Sequence, residues 1–270
     1  MTRRVLVVAG RAGLQLLVPL ALVVLWWRTS AGSDSYLYPP ASEVIESLRE
    51  DWLADRVGSD LLPSLRRFGA GYLVAAVLGV VVGTLLGLAP RLRRATQPVT
   101  EMLRSIPPPL LFPFALVLFG IGDGSKVALI ALGAVWPVLL NTVDGVRGVD
   151  PQVLDVARSF RIGRWRQVTH IVLPAASPKI MAGLRIALSV ALLLMVVSEM
   201  RGGTDGIGFR IRAAERGFDT DASYAGVIVI GTVGLMANLL FVAVERWVMR
   251  WHRGARGLVE QRQTGREAFA

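Results

Sequence analysis

A chain of 270 residues that is 53% hydrophobic, with a mean hydropathy of +0.52, is too apolar for a water-soluble protein of this size. Its formal charge of +10 would suit nucleic acid, but arginines retained on the cytoplasmic side of membrane spans explain it more simply. The chain has no cysteine, which excludes disulfides, thiolate nucleophiles and cysteine-ligated metals.

Arg3, Arg4 and Arg11 precede an apolar run, Ala12–Trp27. A signal peptide looks similar, yet this run ends in Trp26-Trp27-Arg28 rather than in small residues suited to cleavage. Interfacial tryptophans favour a retained first span running outward. Residues 29–66 are polar, with Tyr36, Tyr38, Pro39 and Pro40 before a stretch that reads as an external amphipathic helix. Phe68–Ala89 is the second span, and Gly79, Gly83 and Gly87 share one of its faces. Small residues at that spacing let helix backbones approach closely in lipid. Arg91, Arg93 and Arg94 close the span on the inside.

A third apolar region, Met102–Phe119, contains Pro107, Pro108, Pro109 and Pro113, so its helix must break or kink near the inner end. Gly120–Gly124 is a tight external turn before a fourth span, Val127–Leu140. The run GIGDGSK is not a phosphate loop: Ser125 stands where glycine should precede the lysine, and Val127 replaces the Ser/Thr.

The polar stretch 150–186 organises the rest. Asp150 can cap a helix whose first residue is Pro151. Val153, Leu154, Ala157 and Phe160 recur at helical spacing, with Arg158, Arg161, Arg164 and Arg166 nearby. A short amphipathic helix with a basic surface, set between spans, reads either as a solvated loop with a capped helix or, more sharply, as a docking element for a soluble partner. Pro174 and Pro178 interrupt the chain before a fifth span, Met181–Val197. Residues 199–222 are external, Tyr224–Val244 is the sixth span, and the tail with Arg246, Arg250, Arg253 and Arg256 is cytoplasmic, fraying into disorder beyond Gly257. This arrangement puts roughly 20 basic residues inside and roughly 10 outside, as the positive-inside rule requires.

The expected fold is therefore all-α: a polytopic membrane protein of about six transmembrane helices, both termini cytoplasmic, in a cell membrane; the heavy use of Arg over Lys points to a bacterial source. Residues 1–28 hold the N-terminal end and first span, 29–66 the external segment, 67–248 a core with five spans and a cytoplasmic loop at 143–180, and 249–270 the tail.

Catalytic groups are sparse. His170 and His252 are the only histidines, too few and too far apart in sequence for a metal site, and no nucleophile–His–carboxylate set presents itself. Ionisable residues near the bilayer are Glu199, Asp144, Arg104 and Arg185. A proton- or sodium-driven carrier usually needs acids nearer the midplane, and their absence argues for energy supplied from outside the chain.

The central loop resembles the cytoplasmic "EAA" loop of ABC-importer membrane subunits, whose pattern is E-A-A-x3-G-x9-I-x-L-P. Here it reads Asp155-Val156-Ala157, three residues, Arg161, nine residues, then Ile171-Val172-Leu173-Pro174. Other stretches are similar to the nitrate/sulfonate/taurine permease branch: PSLRRFGAGYLVAAVLGVVVGTLLG, LRSIPPPLLFPFALVLFGIGDGSK, NTVDGVRGVD, LPAASPKIMAGLRIAL and the SEM…GIG run. The resemblance implies a permease homodimer, two cytoplasmic ATPase subunits carrying ATP and magnesium, and an external substrate-binding protein. This chain itself would bind no cofactor and no nucleic acid.

The coupling residues implied are Asp155, Val156, Ala157, Arg158, Phe160, Arg161, Ile162 and Gly163. Arg161 replaces the motif glycine, and Gly163 is expected to take over the turn if a left-handed residue is needed. Candidates for the translocation path or gate are Ser105, Trp136, Asn141, Ser189, Ser198 and Glu199; helix packing accounts equally well for Trp136 and the serines. Glu199 joins a Gly-rich segment, Met200–Phe209, that resembles the family's outer gate, although interfacial solvation would also explain it. The expected cargo is a small anion such as a sulfonate, taurine or nitrate. A thiamine-pyrimidine-like precursor and, from another class, a stand-alone secondary carrier are the alternatives; an integral membrane enzyme is weaker still.

Overall fold

The computed structural model describes residues 17–33, 35 and 37–250, and every regular element among them is helical. The basic start and the tail beyond Arg250 lie outside the described residues, as do the expectations placed on them.

Four helical stretches are long and apolar enough to cross a membrane: Val57–Leu88, Asp123–Arg147, Arg164–Gly202 and Thr220–Val248. A fifth crossing exists if the bent pair Pro90–Ser105 and Pro108–Phe119, which turns by 90°, is one broken span. An apolar helix, α1 (Leu17–Ser30), is shorter than these over its described length.

From α1 the chain turns through α2 (Ala41–Ser47), tied back by the amide of Ala41 donating to Ser30 Oγ at 3.0 Å. Two π-helical turns, Leu48–Asp55 and Val57–Leu61, lead into α3 (Leu62–Leu88). The second span thus starts well before Phe68, where the apolar window begins. α4 (Pro90–Ser105) and α5 (Phe112–Phe119) flank a 3-10 turn, Pro108–Leu111. The expected break in the third region is present, but it falls at Ile106-Pro107, and Met102–Ser105 belong to the polar α4. Ile106 is extended (ψ 121°), as a residue before proline should be.

α6 (Asp123–Arg147) extends the fourth span at both ends. Then come α7 (Pro151–Ser159), α8 (Arg164–Gln167), a π turn at Val168–Val172, α9 (Leu173–Gly202), α10 (Ile207–Gly217) and α11 (Thr220–Val248). Pro174 and Pro178 do not interrupt the chain as expected. The π turn immediately before Pro174 widens the helix where the ring would strike the carbonyl four residues back, and the same device precedes Pro63 in α3.

α6 is the central post. α3 runs parallel to it in fixed register: Gly71, Gly79, Gly83 and Gly87 face Ile130, Val138, Thr142 and Val146, each 59 positions on. Ala75 and Ala134, both fully buried, continue the row. α9 is antiparallel on the other side, with Gly183 against Asn141 and Pro137 and Gly145 against Ala176. In lipid no hydrophobic force drives helices together, so this close fit and its dispersion energy supply the cohesion. α11 is peripheral: Ala225, Gly226 and Phe241 are its only buried residues, so most of its surface is left for lipid.

Candidate functional site

At the end of the bundle that carries α10, the structure buries a network of charges. Asp60, Ser64 and Arg67 recur on one face of the π turn and α3, and are 3%, 0% and 4% exposed. Glu199, near the end of α9, is fully buried against them. Its carboxylate accepts from Ser64 Oγ at 2.7 Å, Arg67 Nη1 at 3.0 Å and the amide of Gly208 at 3.0 Å. Arg67 also reaches Asp205 through Nη2 at 2.8 Å and Asp123 through Nε at 2.6 Å. One guanidinium therefore ties α3 to α6, to α9 and to the 203–206 turn, using the rigid fork that distinguishes Arg from Lys.

The turn after α9 wraps this network. Gly206 has φ +108°, its amide donates to Asp60 Oδ1 at 2.8 Å, and an added Cβ would fall 2.5 Å from the Glu199 carboxyl carbon. Only glycine combines that backbone with that approach. Ile207 donates to Ser64 Oγ at 2.9 Å, and Arg210 Nε donates to Asp60 Oδ2 at 3.0 Å, so α10 is fixed by its first turn. Partial burial pushes the Asp205 carboxyl up, but the Arg67 pair and nearby Lys126 outweigh it and hold it below the usual carboxylate value.

Glu199 was expected at this end, and interfacial solvation does not explain it, because no part of it is exposed. Asp60, Ser64, Arg67, Lys126, Asp205 and Arg210 were missed. Spacing could have found the first three, which follow the helical period into the apolar run.

At the other end α7 carries the expected cap: Asp150 Oδ1 accepts from the amide of Gln152 at 2.8 Å, with Pro151 in the first turn. The helix closes with the amide of Ile162 donating to Ala157 O at 3.0 Å and that of Arg161 to Arg158 O at 2.9 Å. This is a Schellman closure, and Arg161 occupies its left-handed position at φ +52°. Gly163 (φ −58°) does not take over the turn; the backbone reversal stays at the motif position. Leu154 packs on Val146, Val149, Val172 and Ala176, and Ala157 is buried. Val153, Val156 and Phe160 point outward, 45%, 56% and 77% exposed, and Trp165 on α8 is 79% exposed. The result is an apolar stripe on an otherwise charged surface, where Asp155 pairs with Arg158 at 3.0 Å.

Replacing Arg161 with Gly removes a strained left-handed residue and should stabilise this turn by about 1 kcal/mol. Hydrogen exchange at 157–162 should slow, and any activity that depends on the turn should be kept or strengthened. A loss of that activity at unchanged protein yield would mean that the Arg161 guanidinium makes a required contact.

The remaining sequence-predicted path residues are not brought together. Ser105 is exposed at the end of α4 and donates to Glu101 O at 2.7 Å. Ser189 is exposed on α9, and Trp136 is half-buried on α6. Asn141 Nδ2 donates to Pro137 O at 2.8 Å, four residues back on its own helix. Ser198 is fully buried and donates to Met195 O at 2.8 Å. Among the described residues no cluster of three His, Cys, Asp or Glu could hold a metal ion.

Residues 75–251 match the family described as binding-protein-dependent transport system inner membrane component. The chain is similar to the putative aliphatic sulfonates transport permease protein SsuC of Bacillus subtilis (strain 168), 32% identical over 90% of this chain and 88% of that protein. It is 34% identical to the bicarbonate transport system permease protein CmpB of Synechococcus elongatus, over 87% of this chain and 90% of the relative. The fold resembles a chain of the MetNI methionine ABC transporter in an inward-facing conformation, with a TM-score of 0.61 and 19% identity over 70% of this chain and 94% of that one. The chain therefore belongs to the binding-protein-dependent transport system inner membrane components, the non-catalytic permease subunits of ABC importers that work with a separate ATPase and a substrate-binding protein.

Proposed function

We propose that this permease imports a small anion, as a homodimer whose α7 helices dock on the ATPase subunits. The outward stripe of Val153, Val156 and Phe160 carries the docking assignment: it is apolar, it sits on a helix capped at both ends, and it occupies the loop whose spacing resembles the EAA pattern. The coupling set remains Asp155 to Arg158 and Phe160 to Gly163, with Ala157 supporting the helix from inside and Phe160 as its central anchor. ATP and magnesium belong to the partner ATPase.

In this reading the α7 end is cytoplasmic and the α10 end external. The bent α4–α5 pair is one broken span, α1 is another, and six spans place both termini inside. The division into a first span at 1–28, an external segment at 29–66, a permease core at 67–248 and a tail at 249–270 follows from it. The exposed apolar ridge of Phe114, Val117, Leu118 and Ile121, 67–90% exposed on and beyond α5, supports a second copy packing there. The Gly-rich turn at 203–208, pinned by Glu199 and Arg67, is the outer gate's fixed jamb rather than its moving leaf. Ser105, Trp136, Asn141, Ser189 and Ser198 remain path candidates, with the exposed ones the better placed.

For the solute, relatives named for aliphatic sulfonates and bicarbonate favour a small oxyanion: a sulfonate, taurine, nitrate or bicarbonate. A thiamine-pyrimidine-like precursor is the other reading within this transporter class.

Phe160→Asp puts a charge at the centre of the stripe without touching the bundle, since the side chain is exposed. The ATPase recovered with the permease from mild detergent should fall at least about tenfold, matching loss of a hot-spot contact of roughly 2 kcal/mol. Replacement of 155–163 by a neutral linker should abolish recovery. If the ATPase stays bound to both variants, docking lies elsewhere.

A further inference from the structure

α4 is turned the wrong way round for a helix of a compact bundle. Leu92, Ala95, Val99, Met102 and Leu103 fall on one arc of the helix, and Arg93, Gln97, Thr100, Glu101 and Arg104 on the opposite arc. In a water-soluble bundle an amphipathic helix turns its apolar arc to its own core, whereas in a membrane that arc can face lipid. Here none of its residues is buried, and Leu92, Val99, Met102 and Leu103 are 41–65% exposed. The polar arc instead faces a cleft closed by Leu86 of α3 and by Leu139, Val143 and Arg147 of α6.

The charges in this cleft do not cancel. Arg93, Arg104 and Arg147 face it together with Glu101 and Asp144. Asp144 lies 4.0 Å from Arg147 on the same helix, and Glu101 accepts from Gln97 Nε2 at 2.9 Å. Among the described residues, neither Arg93 nor Arg104 has an ion-pair partner within 4.0 Å, whereas Arg67 at the opposite end has three. From Arg147 to Leu139 the cleft follows α6 for about 12 Å, about two-fifths of a bilayer's hydrocarbon thickness. Arg93 is half-buried and Arg104 exposed, so the two guanidinium groups line the mouth of a leucine-walled cleft without a carboxylate of their own. The low-dielectric walls also strengthen their field, and the guanidinium fork fits the oxygens of an oxyanion.

We infer that the cleft between α4 and α6 is an anion-binding vestibule in the cytoplasmic half of the path, with Arg93 and Arg104 holding the oxygens of a small oxyanion. It rests on the importer reading for its place in transport, but its ligand chemistry does not. Thr100 lies between the two arginines on the cleft-facing arc.

The cysteine-free chain allows a direct test. In the full-length permease carrying Thr100→Cys, the rate of modification is measured with an anionic methanethiosulfonate (the ethylsulfonate) and with a cationic one (the ethyltrimethylammonium). Relative to a free small thiol in the same buffer, the anionic-to-cationic rate ratio should rise about tenfold, within the range by which charged clefts concentrate counter-ions. It should fall back when Arg93→Gln and Arg104→Gln are added, and millimolar nitrate or methanesulfonate should slow the anionic reagent. A ratio equal to that of the free thiol, a ratio unchanged by removing both arginines, or no reaction with either reagent overturns the inference. Failure of the importer reading would show separately, as loss of ATPase capture with the thiol selectivity intact.

Discussion

Arg67→Met should be among the most damaging single substitutions in this protein. It leaves Glu199 fully buried with only the Ser64 hydroxyl and the Gly208 amide as donors. Breaking one half of a buried ion pair costs about 3–5 kcal/mol, because the remaining charge has no water to return to. For a chain of this size that corresponds to a melting temperature lower by about 10 °C in detergent, read by fluorescence-detected size exclusion. Asp205 and Asp123 are 34% and 64% exposed at their side chains, so each can find water when the guanidinium goes. Glu199 alone is trapped. Arg67→Met combined with Glu199→Met should therefore regain most of the lost stability, since an apolar pair of similar volume often replaces a buried ion pair at little cost. Uptake should not return with it, because the 203–206 turn has lost its ion pair from Asp205 to Arg67 and keeps only the bonds of Gly206 to Asp60 and Ile207 to Ser64. Arg67→Met melting with the parent protein would show that the network contributes nothing; full uptake in the double variant would show that it only stabilises.

Gly83→Leu should prevent α3 and α6 from packing. An added Cβ at Gly83 would fall 2.7 Å from Thr142 Cβ and 2.8 Å from the carbonyl oxygen of Leu139. The second of these is helix backbone and cannot rotate aside, so the helices must separate along a row of contacts that includes Gly79 and Gly87. Overpacking of this kind costs about 1–3 kcal/mol or more, and in lipid no hydrophobic force compensates for the opened seam. Little monodisperse protein should be recovered, with Gly83→Ala intermediate. Gly69 in the same helix has nothing within 4 Å of a built Cβ, so Gly69→Ala should be neutral or slightly stabilising. Equal yields from Gly83→Leu and Gly69→Ala would mean that the helices do not meet here.

Much of this was legible in the sequence. Hydropathy marked the apolar helices, because a membrane demands long apolar runs that few other structures need. The Gly79–Gly83–Gly87 face announced close packing, and Asp150-Pro151 announced α7, since caps and small-residue stripes are local chemistry. The EAA-like spacing led to the transporter family, and the family match bears that out.

What the sequence alone could not show is where charges stop being surface. The second span was expected to begin at Phe68 and the fourth at Val127, each one residue after a cation, because a charge ordinarily ends a span. Arg67 and Lys126 instead lie inside their helices, 4% and 3% exposed, because carboxylates more than 50 positions away in the chain come to meet them. The left-handed Arg161 is a similar case: nothing local prefers Arg there, and the turn is held by hydrogen bonds to Ala157 and Arg158. The inverted α4 depends on what α3 and α6 leave open beside it. Period, caps and hydropathy are properties of neighbours in the chain; the pairing of charges is a property of neighbours in space, and only the folded bundle brings those together.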